Sequence, residues 1–337
     1  MKAYLLKRSG KPRVLRLAEV PEPEPNPGQV KVRLQFAGLN YSEVLSRKGL
    51  YGWAPKRPYI PGMEGVGEII SVGTGVPENR IGEKVIVGVQ YGCYAEYVCT
   101  SSAQALPVFA DLEPVENAAL LVNYLTAWVA LIRMGRLTKD ESLLITAAAG
   151  GVGTAAIQIA RHIGARIFGM AGTDDKVAFI ESLGVQKGFN YNRAGIFDQM
   201  HHDTNGFDVV LEMYGGEVYR KALMMLNPFG RMVVMGYASL DLKYWNPVSI
   251  WRAWRGIPRV SIPDINEQSV GVMSSHLGYL LKNPDLIRSE YDEMIRFITE
   301  HRIKPIVDRA FPFDALPEAH QYIEDRRQKG KVVLEIQ

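Results

Sequence analysis

Cysteine is scarce in this chain: Cys93 and Cys99 are the two present. A single pair cannot form the disulfide framework of a small secreted scaffold, and a reducing, cytoplasmic compartment is expected. The six histidines show neither metal-ligand nor triad spacing, and His201-His202 sits in a polar stretch that reads as a solvated loop. Charge of one sign is not in surplus either: 39 Lys and Arg against 36 Asp and Glu leave a formal charge of +3. That balance gives no reason to expect a nucleic-acid partner. No apolar run is long and charge-free enough to span a bilayer. The opening MKAYLLKRSGKPRVLRLAEV alternates charged and apolar residues, so no secretory leader is expected. Repeats and low-complexity tracts are missing too.

What is there is an ordinary globular composition, 47% apolar and 22% charged, in 337 residues, enough for roughly two domains. The first third reads as β structure. VKVRLQFAG (Val30 to Gly38), VGEIISVG (Val66 to Gly73) and EKVIVGV (Glu83 to Val89) are short runs bounded by glycines, as in a small barrel or a sandwich. The proline-rich PEPEPNPG, Pro21 to Gly28, is a connector. Helical character begins at Pro114, with Ala118, Leu121, Val122, Leu125 and Val129 on one face. From Glu141 strands and helices alternate: ESLLITA, ARIFGMA, GFNY, FDVVLEM and RMVVMGY read as strands of a parallel, doubly wound sheet. Beyond Ser269 come helix-like stretches, Ser289 to Glu300 and Leu316 to Arg327, then the strand-like KVVLEI. The tail is expected to return to the first domain.

The strongest local motif is ITAAAGGVGTAAIQIAR, Ile145 to Arg161, in which a strand runs through Ala148-x-Gly150-x-x-Gly153 into a helix. Small residues let such a turn close tightly and let the backbone approach a pyrophosphate, while the helix N-terminus offers unpaired N–H groups. Ala148 replaces the first glycine of the usual fingerprint. An NAD site places a carboxylate roughly 20 residues further on, at the end of the second strand. Here that region reads Ala171-Gly172-Thr173-Asp174-Asp175-Lys176. A lysine and a hydroxyl beside a small-residue turn suit a 2′-phosphate, so NADPH is the expected cofactor, although Asp174 or Asp175 could instead face the ribose.

These residues, with GLNYSEVLSRKGLY (Gly38 to Tyr51), PGMEGVGEI (Pro61 to Ile69) and GKVVL (Gly330 to Leu334), resemble the quinone oxidoreductase branch of the medium-chain dehydrogenase/reductase superfamily. HLGYL (His276 to Leu280) and IKPIVDRAFPFDALPEAHQYI (Ile303 to Ile323) resemble its vesicle amine transport protein subgroup. The resemblance implies an α/β fold: a GroES-like β-barrel catalytic domain over 1–123, an inserted Rossmann domain over 124–268, and 269–337 ending the Rossmann domain and returning to the barrel. It also implies a homodimer joined through Rossmann edge strands. Zinc-dependent members need a cysteine after the early strand, a Gly-His-Glu triplet, a further cysteine or acid and often a four-cysteine lobe. This chain has Gly38-Leu39-Asn40-Tyr41, Gly62-Met63-Glu64 and no lobe, so no zinc site is expected.

By the same resemblance Asn40 and Tyr51 line the nicotinamide and substrate cleft, with Tyr51 the candidate proton donor and Tyr41 a weaker one. Gly150, Gly151, Val152 and Gly153 would meet the pyrophosphate. Gly172, Thr173 and Lys176 would meet the adenosine phosphate, with Tyr191 beside the adenine ribose. Tyr124, Thr126, Met235 and Gly236 correspond to positions near the nicotinamide, and Arg326 or Lys331 would reach the phosphate region or the cleft. The expected reaction is NADPH-dependent reduction of a quinone or a conjugated enone or enal. Alternatives are an enoyl-thioester or carbonyl acceptor, or an NADPH-binding scaffold or membrane-associated carrier with little turnover. The segment SIWRAWRGIPRV, Ser249 to Val260, would cover a substrate pocket, pack at a subunit interface or, less in keeping with the rest, rest on an acidic membrane surface.

Overall fold

The computed structural model describes residues 1–238 and 259–337, so most of the Trp/Arg segment, 249–258, lies outside the described residues. The chain divides into two compact units, one of Met1–Asn123, Gly278–Ser289 and Lys304–Gln337, the other of Tyr124–Leu277 and Glu290–Ile303.

In the first unit the strand Gln29–Leu39 is the member that the rest of the sheet shares. One edge pairs with Glu64–Val72. The other pairs with Tyr97–Ser101 over Gln29 to Arg33 and with Lys331–Glu335 over Phe36 to Leu39, all antiparallel. Lys84–Gly88, Ala105–Pro107 and Val307–Pro312 complete a barrel-like sheet of mixed direction. Val30, Val32 and Leu34 alternate with Lys31 and Arg33, yet Lys31 is buried too, because Glu22 at 2.5 Å pairs with its ammonium. The core gathers Leu34, Ile69, Val85, Val87, Tyr94 and Leu334, contributed from the start and the end of the chain alike.

The second unit holds a parallel sheet in the spatial order Lys187–Asn190, Arg166–Ala171, Ser142–Ile145, Phe207–Glu212, Leu226–Val234, Gly271–Ser274. This is the order of a doubly wound dinucleotide-binding sheet, whose direction of winding switches between its first and fourth strands, here Ser142–Ile145 and Phe207–Glu212. The last strand, Gly271–Ser274, is too short and too mixed in polarity to stand out by alternation. The amphipathic stretch from Pro114 is not one helix. It forms Pro114–Asn117, Leu121–Trp128 and a π-helical turn Val129–Met134. Buried Asn117 explains the first break, since its side-chain amide donates to the carbonyls of Phe109, Leu112 and Glu113 and anchors the preceding loop instead. Among the described residues no helix is long and apolar enough to cross a membrane.

The crossing of strand and helix after Ile145 depends on Gly153. A Cβ there would lie 2.4 Å from the Ala148 carbonyl oxygen and 2.6 Å from the Ala148 Cα, both backbone atoms that cannot swing away. Gly153→Ala is therefore expected to destabilise the second unit by about 1–3 kcal/mol, the usual cost of overpacking. Thermal and urea unfolding check it, and unchanged transitions would mean that the turn can open to admit a methyl group.

Candidate active site

The second unit builds a cradle at the C-terminal ends of its strands. Ala147 turns the chain with a left-handed φ of 51°, and Gly150 then caps the helix Gly151–Ile163. The first bond closed here is Thr154 N–H to the Gly150 carbonyl at 2.8 Å. The N–H groups of Gly151, Val152 and Gly153 precede it and stand at the positive end of the helix. At Gly150 a side chain would point into space where the nearest atom is the Ala147 oxygen at 3.6 Å. This open, donor-lined hollow fits a pyrophosphate. The strand ends on either side are tied together: Met213 N–H donates to Thr146 Oγ1 (2.8 Å), and buried Glu212 accepts from the N–H groups of Tyr214 (2.8 Å) and Gly215. Burial raises the Glu212 carboxyl above its usual range. Neither Thr146 nor Glu212 stood out in the sequence, where each is one polar residue closing a strand.

One strand further out, Gly172 and Thr173 follow Ala171, and Thr173 caps the helix Asp174–Ser182, whose first turn carries Lys176. Tyr191 lies over Gly172, its hydroxyl 2.6 Å from where a Cβ would stand, and its ring packs on Tyr214 with centroids 4.4 Å apart. The structure thus brings Gly172, Thr173, Lys176 and Tyr191 to one corner. It also places Asp174: Asn190 Nδ2 (2.7 Å) and Arg193 Nη2 (2.6 Å) donate to its two carboxylate oxygens and hold its pKa below the usual value. Asn192 Nδ2 donates to the Gly172 carbonyl at 2.7 Å. Asn190, Asn192 and Arg193 surround Tyr191 in the sequence NYNR, and that adjacency was the one available signal. Tyr124 is buried and donates its hydroxyl to Gln158 of the glycine-turn helix, while Thr126 is half-buried on the same helix as Tyr124. Met235 and Gly236 follow the strand Leu226–Val234, with Met235 N–H bonded to the Glu212 carbonyl at 2.8 Å.

The first unit carries a buried polar cluster. Asn40 caps the helix Tyr41–Lys48, and Glu43, three residues on, accepts the Asn40 N–H at 2.8 Å in a capping box. Glu43 also accepts from Met63 N–H (2.7 Å) and the Tyr94 hydroxyl. Its burial pushes its pKa up to about 7, against the downward pull of those donors and of the Lys331 charge. The Asn40 side chain is fixed from both ends: Nδ2 donates to Glu64 Oε1 (3.0 Å) and Oδ1 accepts from Lys331 Nζ (2.7 Å). Lys331 and Glu64 pair directly, with side chains 3% and 1% exposed, and Glu64 Oε2 accepts Val122 N–H at 2.8 Å. Lys331, expected at the phosphate region or the cleft, has its ammonium committed to Glu64 and to Asn40. Arg326, also of the first unit, follows the helix Leu316–Glu324 with a left-handed φ of 54°. Tyr51 is half-buried, its hydroxyl hydrogen-bonded with Ser42 and within electrostatic reach of Glu43. Burial first, and the Glu43 charge second, push its pKa up, so the phenol keeps its proton. The Ser42 hydroxyl also lies 3.5 Å from Met63 Sδ.

A zinc ion does not fit this cluster. A thioether and an amide stand where thiolate and imidazole would be needed, and Glu64 is already neutralised by a buried ammonium that would repel a divalent cation. Among the described residues no group of three or more His, Cys, Asp or Glu is placed to hold a metal, and Cys93 and Cys99 are free thiols.

A barrel-like sheet carrying a buried polar cluster, together with a doubly wound sheet carrying a pyrophosphate-shaped cradle, defines a two-domain oxidoreductase. Residues 26–110 match the model described as alcohol dehydrogenase GroES-like domain, and 183–334 match the one described as zinc-binding dehydrogenase. The human synaptic vesicle membrane protein VAT-1 homolog is 33% identical over 315 residues, 93% of this chain and 80% of that protein. The quinone oxidoreductase from Thermus thermophilus, solved alone and in complex with NADPH, is 32% identical with a TM-score of 0.81 over 100% of both chains. The human VAT-1 homolog-like protein superposes with a TM-score of 0.84 at 28% identity, over 100% of this chain and 98% of that one. The chain belongs to the quinone oxidoreductase branch of the medium-chain dehydrogenase/reductase superfamily, close to the VAT-1-like proteins.

The buried pair makes a measurable claim. Lys331→Met strands the Glu64 carboxylate and is expected to cost about 3–5 kcal/mol, as breaking a buried ion pair does. The double variant with Glu64→Gln should recover part of that loss. A Lys331→Met chain as stable as wild type in denaturant titrations would show that Glu64 finds water or a proton instead.

Proposed function

We propose that the protein is an NADPH-dependent, zinc-independent reductase that transfers a hydride to a quinone or a conjugated enone or enal. The observation that carries this reading is the polar cluster around Asn40, which offers a tyrosine hydroxyl and a fixed amide but no set of metal ligands. Without a Lewis acid, an alcohol or plain ketone gains little activation, whereas a conjugated acceptor is electron-poor already. The T. thermophilus relative solved with NADPH supports the choice of cofactor.

In this reading Gly150, Gly151, Val152 and Gly153 hold the pyrophosphate through backbone N–H groups. Gly172, Thr173 and Lys176 hold the 2′-phosphate and Tyr191 flanks the ribose, with Tyr124, Thr126, Met235 and Gly236 toward the nicotinamide and Arg326 at the phosphates. The pairing of Asp174 with Arg193 and Asn190 supports the phosphate assignment, because a carboxylate so engaged is screened from an incoming dianion. When bound, the reduced nicotinamide supplies the hydride. A proton completes the reduction, and in this reading Tyr51, hydrogen-bonded with Ser42, donates it and recovers it from solvent. Asn40 orients the acceptor carbonyl.

The reading is tested by following oxidation of NADPH and NADH against quinones, enones, aldehydes and an enoyl thioester, with and without chelator. Chelator-resistant turnover of a quinone or enone is expected; tight NADPH binding with no acceptor reduced would make the protein a carrier or scaffold. Lys176→Ala should weaken NADPH about 10- to 100-fold, the worth of one charge-assisted hydrogen bond, and NADH hardly at all. Equal losses for both cofactors would remove the 2′-phosphate assignment. Tyr51→Phe should lower kcat on an enone by about a hundredfold or more, and less on a quinone, whose reduced oxygens take protons readily from water. Because the Tyr51 pKa is raised, activity on an enone should persist through the ordinary tyrosine range as pH rises. A Tyr51→Phe enzyme with unchanged enone kinetics would discard the residue as donor.

A further inference from the structure

The loop that presents Tyr51 also carries Trp53, a residue that the proposed chemistry does not use. The two rings stand at 89° with centroids 6.4 Å apart, so their planes form a right-angled corner. Trp53 is held there by three independent contacts, all within the first unit. The loop closes on itself through Ala54 N–H to the Tyr51 carbonyl, 3.1 Å. Gln90 Nε2 donates to the Trp53 carbonyl at 2.6 Å. The indole, finally, lies flat against Gly278: a Cβ on that glycine would fall 2.5 Å from Trp53 Cδ2, 2.6 Å from Cε2 and 2.7 Å from Cε3. Those three atoms belong to the fused benzene ring of the indole. The contact is therefore face-on and tolerates no side chain. Gly278 has no left-handed φ to account for it, so the space it leaves for Trp53 is its evident use.

We propose that the Tyr51–Trp53 corner is a specificity element that selects flat, fused-ring acceptors over small or flexible ones, a step that rests on the quinone and enone reading above. An aromatic wall fixed on a glycine backbone costs little further ordering when a planar ring stacks on it, and a second ring at right angles limits how far the acceptor slides. A naphthoquinone presents two fused rings to such a corner. A benzoquinone presents one and a straight-chain enal none. Trp53 touches the acceptor through stacking alone, and its removal is felt in KM rather than in the chemical step.

Steady-state kinetics with a naphthoquinone, a benzoquinone and a straight-chain enal test this in wild type, Trp53→Leu, Trp53→Phe and Gly278→Ala. Trp53→Leu should raise KM for the naphthoquinone about tenfold, the value of one aromatic stacking contact, and leave kcat and the other two acceptors nearly unchanged. Trp53→Phe should restore much of the difference. Gly278→Ala, which displaces the indole without deleting it, should shift the acceptor ratio in the same direction as Trp53→Leu. Equal losses on all three acceptors, or no change in the ratio, would overturn the corner and leave Trp53 a packing residue. If wild type turns over none of them, calorimetry with the naphthoquinone separates the two ideas. Binding lost in Trp53→Leu would keep the corner while the reductase reading fails; no binding by wild type would end both.

Discussion

A lysine ammonium buried to 3% exposure inside a β sheet must be neutralised, and Lys331 finds its counter-charge 267 residues back, at Glu64. Much of the first unit's polar interior is arranged around that one requirement. Glu64 spends its second oxygen on Val122 N–H, which fixes the start of the helix leading into the second unit. Asn40, gripped between Glu64 and Lys331, cannot flip its amide without losing both bonds, and as the cap of the helix Tyr41–Lys48 it sets where Ser42 and Glu43 point. The fixed amide, the serine and the tyrosine beyond it are thus consequences of one desolvated ion pair. Such a pair adds little net stability against an apolar substitute, and its value here is geometric.

How much of this could be read from the sequence depended on distance along the chain. The glycine turn is local: a strand, a run of small residues and an apolar helix face lie within Ile145 to Arg161, and each says the same thing. The strands before and after it announce themselves by β-branched runs, and the absent zinc ligands can be read at Asn40 and Met63. Lys331 could be read as a candidate for the phosphate region or the cleft, but its pairing with Glu64 could not. A lysine near a strand looks like a solvent charge until the sheet places it beside Asn40, 291 positions earlier. The helix from Pro114 looked continuous because its apolar spacing holds, whereas Asn117 breaks it by bonding to loop carbonyls whose positions no periodicity encodes.

Arg193 illustrates a different blindness. The ambiguity over the cofactor group that the corner at Gly172 is proposed to accept came from two aspartates in the sequence, and counting charges on one segment left it open. The ion pair that engages Asp174 comes from beyond the next strand, brought alongside by parallel pairing of Lys187–Asn190 with Arg166–Ala171. Both partners are largely exposed, 63% and 62%, so the pair contributes little to stability and acts by local charge compensation.

The strand Gln29–Leu39 has a consequence for how the chain is made. Half of one of its edges is completed by Lys331–Glu335, so while a ribosome is still producing the intervening residues that edge has no native partner. Among the described residues the sheet between Ser142 and Ser274, by contrast, pairs its strands only with one another. The ladders from Ser142 to Ser274 are thus complete in the chain before Lys331–Glu335 is made, whereas the barrel strand keeps that part of its edge open until then. The length of that interval is set by translation time across the intervening residues.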